Sequence, residues 1–285
     1  MSFPISTHQL TPPDFSIITI HENSEDAQDS LPCAVASLAD QCSIKSEQIL
    51  QHLGEANNLW SKLSKELQLS KWKQRFTLRL VEEKNISFHE AIQKATTRIL
   101  GAFVGFLQPD EQYLPEGLVA VEKYFQAHPE IDLVFTGEFV LDNVTKKTTP
   151  HPAVLPSLEY LWSSQCTIIP STLFCRSLLL KKDFPFYPRY ENRMFDEWLL
   201  RLLQSGKKIG LLNIPTTLRP ACSTPINHCQ GETFPVCPPT MKLFAPWWKF
   251  QHARAFKKAL RHFPNSTHPM IYQLTNLTER TTASL

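Results

Sequence analysis

The sequence predicts an α/β fold: a Rossmann-like, mostly parallel sheet flanked by helices, followed by a C-terminal helical tail. Two patterns point to it. Short β-rich runs recur along the chain, such as Phe15–Ile20 and Ala102–Leu107. Between them lie segments whose apolar residues share one helical face, as Leu118, Val121 and Phe125 do. Strands alternating with helices build largely parallel sheets. The composition allows a sizeable core, with 42% hydrophobic and 20% charged residues. Pro (22) is abundant and Gly (8) scarce, which predicts stiff loops with few positive φ angles.

Residues 1–13 read as a flexible N-terminal arm, 14–222 as the α/β domain, and 223–285 as a C-terminal extension. Phe15–Ile20 is the first buried strand, and His21–Asp26 its loop. Leu31–Gln41 reads as a helix with Pro32 in the first helical position, where no hydrogen bond is lost, and Ser30 or Leu31 as cap. Glu47–Gln51 is a weak strand, and residues 55–75 a Lys-rich, partly exposed helix. Phe76–Val81 alternates as a strand does, and Ser87 with Glu90 forms a capping box for a helix ending near Arg98. Ala102–Leu107 is the next strand, and Pro115 to Ala127 the helix after it. Asp132–Val140 and Lys208–Asn213 are strands; Phe195–Ser205 is a helix closed by Gly206.

Several classes are disfavoured. The net charge of +2 gives no global case for nucleic acid. No apolar run approaches the ~20 residues of a membrane span, and the first residues lack a secretory signal. Seven scattered cysteines without a CxxC suggest reduced thiols and a cytoplasmic protein. Cys222, His228, Cys229 and Cys237 lie close together, but their spacing matches no common zinc knuckle. Residues 241–263 form a basic, aromatic amphipathic helix, which either docks on the domain or touches the inner membrane face.

The stretch GFLQPDEQYLPEGL, Gly105–Leu118, ends a buried strand in a polar turn that holds Asp110 and Glu111. Ligands of parallel sheets sit beyond the carboxyl ends of strands, and this turn falls on that edge. Its acids could be turn and helix-cap residues or cation ligands.

Taken in order, several segments resemble the family 2 glycosyltransferases, which have the GT-A fold. They are SIITIHENSED, LPCAVASLADQ, SFHEAIQKATTRILGAFVGFLQPDEQYLPEGL, HPEIDLVF, STLFCRSLL and RMFDEWLLRLLQSGKKI. The resemblance covers Asp14 to Arg219, roughly seven tenths of the chain. It implies sugar transfer from a nucleotide-diphosphate sugar to a glycan or lipid-linked acceptor, usually with inversion. It further implies a divalent cation, Mn or Mg, on the donor diphosphate, with Asp110 as its ligand. The family's first corner Asp is replaced here by Gln108, so cation binding is expected to be weak or absent.

Donor-edge positions implied by the resemblance are Glu22, His52, Gly54 and Glu83. Neutral residues stand at His52, Asn57 and Asn85 where the family is acidic, Gln93 replaces an Asn, and Glu22 and Asn23 stand where the family has Tyr and Asn. Asp196, followed by Glu197, matches the acid that takes the acceptor proton. Two outcomes stay open: an active transferase, and an inactive GT-A-fold binding or scaffold protein that lost its donor-site carboxylates.

Overall fold

The computed structural model describes residues 12–22, 25–41, 43–53, 63, 75–162, 168–183, 185–187, 193–221, 244–264, 269–273 and 276–282. Gly54, Asn57, the four zinc candidates and nearly all of the N-terminal arm lie outside them, as does all but Leu63 and Arg75 of the 55–75 segment.

Nine strands form one sheet: β1 (Phe15–Glu22), β2 (Ser46–Leu53), β3 (Phe76–Glu83), β4 (Phe103–Phe106), β5 (Gln112–Tyr113), β6 (Leu133–Leu141), β7 (Thr148–His151), β8 (Leu173–Arg176) and β9 (Ile209–Pro220). The order is β3-β2-β1-β4-β8-β6-β9-β5, with β7 paired to β6. The β3-β2-β1-β4 half is parallel. β8 runs antiparallel between β4 and β6, and β6 pairs β9 in parallel. The helices are α1 (Glu25–Ala39), α2 (Phe88–Thr96), α3 (Gly117–Ala127), α4 (Leu158–Trp162), α5 (Met194–Gln204) and α6 (Ala245–Arg261). A hairpin, β10 (Met270–Gln273) and β11 (Asn276–Thr282), lies beyond α6.

The α/β expectation holds, because alternation along each strand feeds two cores. Phe15 and Ile17 of β1 point to a layer with Leu31, Val35 and Leu38 of α1 and Leu118, Val121 and Phe125 of α3. Ile18 and Ile20 point the other way, to Ala91, Ile92 and Ala95 of α2 and Phe195, Trp198 and Leu202 of α5. Ser87 and Glu90 close the expected capping box on α2. Gly206, at φ 72°, ends α5. The Gly206 and Lys207 N–H groups donate to Leu203 and Leu202, a Schellman closure.

Five expectations need correction. The loop expected at His21–Asp26 is largely taken up by β1, which runs through Glu22, and by α1 from Glu25. α1 begins at Glu25, so Pro32 lies inside the helix rather than at its start. The buried run from Leu31 to Ala39 outweighs the one backbone bond Pro32 removes. α3 begins at Gly117, after Pro115, with its cap Glu116 in the left-handed region at φ 60°. β2 is a full eight-residue strand, buried along all but its last position. Two of its polar side chains find partners, Glu47 accepting from Ser16, Arg79 and the Leu100 N–H and Gln48 donating to Thr19, while the Gln51 amide is buried without one. β9 runs on to Pro220, seven residues past the expected end, because β6 and β5 both supply it with ladder partners.

Candidate functional site at the carboxyl edge of the sheet

β4 ends at Phe106, and the chain turns at Gln108–Glu111. Both ends of that turn are tied. The Glu111 N–H donates to the Gln108 carbonyl at 3.1 Å, and the Gln108 N–H donates to Glu111 Oε2 at 3.0 Å. Glu111 is fully buried. Burial pushes its carboxyl up to about 8, against the Gln108 hydrogen bond and with help from Asp110 and Glu138. It therefore carries a proton at neutral pH and shapes the turn, so it makes a poor cation ligand. Asp110 stands half-buried beside it. Deeper in the sheet, Glu138 on β6 takes two hydrogen bonds from Arg219 on β9, at 3.0 and 3.3 Å.

α5 places Asp196 and Glu197 in its first turn. Asp196 is 1% exposed. Burial raises its carboxyl to about 6, while the Arg193 guanidinium and the Ile168 N–H pull it down. Arg193 Nε donates to Oδ2 at 3.1 Å, and Oδ1 is buried with no partner. Glu197 accepts from Arg201 at 2.6 Å. Arg201 in turn donates to the Pro185 carbonyl and covers the Tyr187 ring at 4.0 Å. Each acid is thus held by an arginine through one oxygen, and each keeps the other, Asp196 Oδ1 and Glu197 Oε2, buried without a partner.

A cavity of about 60 Å³ lies between the corner and the start of α5, and neither Asp110 nor Asp196 lines it. Gln108 and Pro109 line it from the corner, Phe195 from α5, and Phe88 and Ile92 from α2. The lining is mostly apolar, and the Gln108 Nε2 is buried without a partner.

The expected donor-edge residues end neighbouring strands, with Glu22 opposite Leu53 and His52 opposite both His21 and Glu82. Glu22 is exposed. His52 is 1% exposed, and its Nδ1 lies 2.8 Å from His21 Nδ1. Burial and the neighbouring His52 lower His21 to about 4, so the ring is neutral at neutral pH and one ring donates to the other. Both Nε2 atoms are buried without partners. Glu83 receives Lys94 at 2.8 Å and Arg98 at 2.9 Å, and the Lys94 bond leads in lowering its carboxyl. Sequence reasoning missed His21, Arg193 and the Glu138–Arg219 pair. Arg193 carried a usable signal, three residues before Asp196 at helical spacing.

Among the described residues, no three His, Cys, Asp or Glu side chains are grouped to hold a metal. With Glu111 protonated and Gln108 neutral, the corner offers a cation Asp110 alone. That set fits a cation that brings its other oxygens from a bound diphosphate and water, and not a resident ion.

No family model and no curated protein match the chain. Solved structures do. TarS (residues 1–349) of S. aureus in complex with UDP superposes with a TM-score of 0.55 at 14% identity, over 73% of this chain and 60% of TarS. The same protein in complex with UDP-GlcNAc gives 0.55 at 16%, over 76% and 62%. The mannosyltransferase PcManGT from Pyrobaculum calidifontis, in complex with GDP-Man and Mn2+, gives 0.52 at 14%, over 88% and 65%. The chain has the GT-A fold. It spans less than two thirds of each of these relatives. In this GT-A chain the corner after β4 and the start of α5 meet across one cavity.

Proposed function

We propose that the chain is a glycosyltransferase that moves a sugar from a nucleotide-diphosphate donor to a glycan or lipid-linked acceptor with inversion. The observation that carries this is Asp196. Its Oδ1 is buried and unpartnered, its Oδ2 is oriented by Arg193, and the preceding Phe195 lines the cavity that reaches Gln108 and Pro109. Perturbed acids in a cleft are candidates for proton transfer. With its carboxyl near 6, Asp196 is ionised at neutral pH. As the acceptor oxygen bonds to the anomeric carbon, the bond to the diphosphate breaks and Asp196 takes the hydroxyl proton. The proton moves late, when the hydroxyl has become acidic, so a weak base suffices.

Asp110 would hold a divalent cation together with the donor's diphosphate oxygens. Such an ion neutralises charge on the leaving group. Glu22, exposed at the end of β1, would meet the nucleotide. His52 and Glu83, tied to His21 and to Lys94 and Arg98, would shape the edge behind it.

A second function is favoured by the corner itself. Gln108, the buried Glu111 and the apolar lining of Phe88, Ile92 and Phe195 suit a protein that kept the fold and lost transfer. Calorimetry with UDP- and GDP-sugars, with and without manganese, and a nucleotide-release assay separate the two. Transfer predicts turnover that Asp196→Asn cuts roughly a hundredfold or more with donor affinity unchanged. Turnover that survives Asp196→Asn removes Asp196 as the base. Binding or silence without turnover for any acceptor leaves the non-catalytic function.

A further inference from the structure

We infer that the outer face of α6 is a docking surface for an anionic lipid membrane. α6 has two opposite faces. His252 stacks on Tyr160 of α4 at 4.4 Å, and Phe256 meets His151 of β7 edge-on at 5.7 Å. The Ala259 carbonyl accepts from Asn213 of β9 at 3.0 Å. Just past the helix, Phe263 is 4% exposed, packed on Phe139 where Gly137 leaves room for its ring. Residues 252, 256, 259 and 263 recur every three or four positions, so they form one stripe, and that stripe faces the protein.

At about 100° per residue, Trp247, Phe250, Arg254, Lys257, Lys258 and Arg261 fall on the opposite side, and Phe244 caps the helix on its flank. Phe244 is 58% exposed, Trp247 49% and Phe250 57%. Two large aromatics on one exposed ridge, with a third beside it, are an unusual arrangement in water. The rest of the ridge is cationic, and Arg254 covers the Phe250 ring at 5.8 Å. α6 carries five Lys and Arg and no acid, and no Asp or Glu occurs between Glu232 and Glu279. Aromatic rings favour the headgroup level of a bilayer, and unopposed cations favour its acidic lipids. A second copy seated on this face would set cation against cation. No helix among the described residues is long and apolar enough to cross a membrane, so α6 would lie on the surface with its inner stripe still docked.

This surface is independent of whether the site transfers a sugar. The test is co-flotation of the full chain with vesicles of phosphatidylcholine alone and of phosphatidylcholine with phosphatidylserine, at low and high salt. Thermal melts confirm that each variant is folded. Binding is expected on the acidic vesicles only, and it should fall at high salt. Trp247→Ala with Phe250→Ala should weaken it tenfold or more, without change of charge. Arg254→Gln, Lys257→Gln and Lys258→Gln together should weaken it roughly a hundredfold, about fivefold per charge. Three results would overturn the assignment. One is no binding to acidic vesicles at low salt. Another is binding that ignores the aromatic pair. The third is concentration-dependent dimerisation, without lipid, that Trp247→Ala with Phe250→Ala abolishes.

Discussion

Glu111→Gln isolates the acid at the corner. The carboxyl rises from an ordinary 4.5 to about 8, chiefly through burial. A raised acid stabilises the fold fully below its unfolded pKa, and that contribution is lost as pH climbs toward the folded value. Glu111 should therefore cost stability progressively between about pH 4.5 and 8. At pH 7 the unfolded chain is ionised and the folded one is not, a difference of about 2.5 pK units, or on the order of 3 kcal/mol. Gln cannot ionise, and its amide oxygen can still accept the Gln108 N–H. The variant's advantage over wild type should thus be under about 1 kcal/mol at pH 5 and on the order of 3 kcal/mol at pH 7. Urea unfolding of both proteins at pH 5, 6, 7 and 8 measures it. Taking the difference between the two cancels the titration of Asp196 and His21. An advantage that does not change with pH, or a Gln variant less stable at pH 7, would mean that Glu111 is ionised in the fold and that its charge holds the turn.

His21 acts with the opposite sign. Its pKa is depressed to about 4, so its contribution is full above about 6.5 and lost as pH falls toward 4. His21→Leu with His52→Leu should remove on the order of 2 kcal/mol of acid sensitivity by pH 5, read from the same unfolding curves. Gly137→Ala sets a methyl against the Phe263 ring and the His151 carbonyl. It should cost about 1–3 kcal/mol and speed hydrogen exchange in α6 before the sheet. If Asp196 is the base, turnover should fall on the acid side near pH 6. Arg193→Met removes the guanidinium that lowers Asp196 and should move that limb to higher pH in a pH–rate profile.

The sequence determined the elements whose signals are local. β-rich runs marked β1, β4 and β6, alternation marked β3, and the capping box and terminal Gly206 marked α2 and α5. It also placed Asp110 at a strand end and Asp196 at a helix start. Tertiary structure decided what partners far along the chain control. β2 looked weak because Glu47, Gln48 and Gln51 are polar, yet neighbouring strands give Glu47 and the Gln48 amide N–H partners and set His21 against His52. β5, β7 and β8 are two to four residues long, too short for a periodic signal, and exist because longer strands pair with them. The fate of each acid followed the same rule. Glu111, Glu197 and Glu83 read as equals of Asp110 and Asp196 in a string of letters. Burial encloses Glu111, Arg201 holds one oxygen of Glu197, and Lys94 with Arg98 hold Glu83, while Glu111 Oε1 and Glu197 Oε2, like Asp196 Oδ1, stay buried without partners. Whether a carboxyl is buried, paired or left with an open oxygen depends on the packing around it, and packing is set by residues distant in sequence.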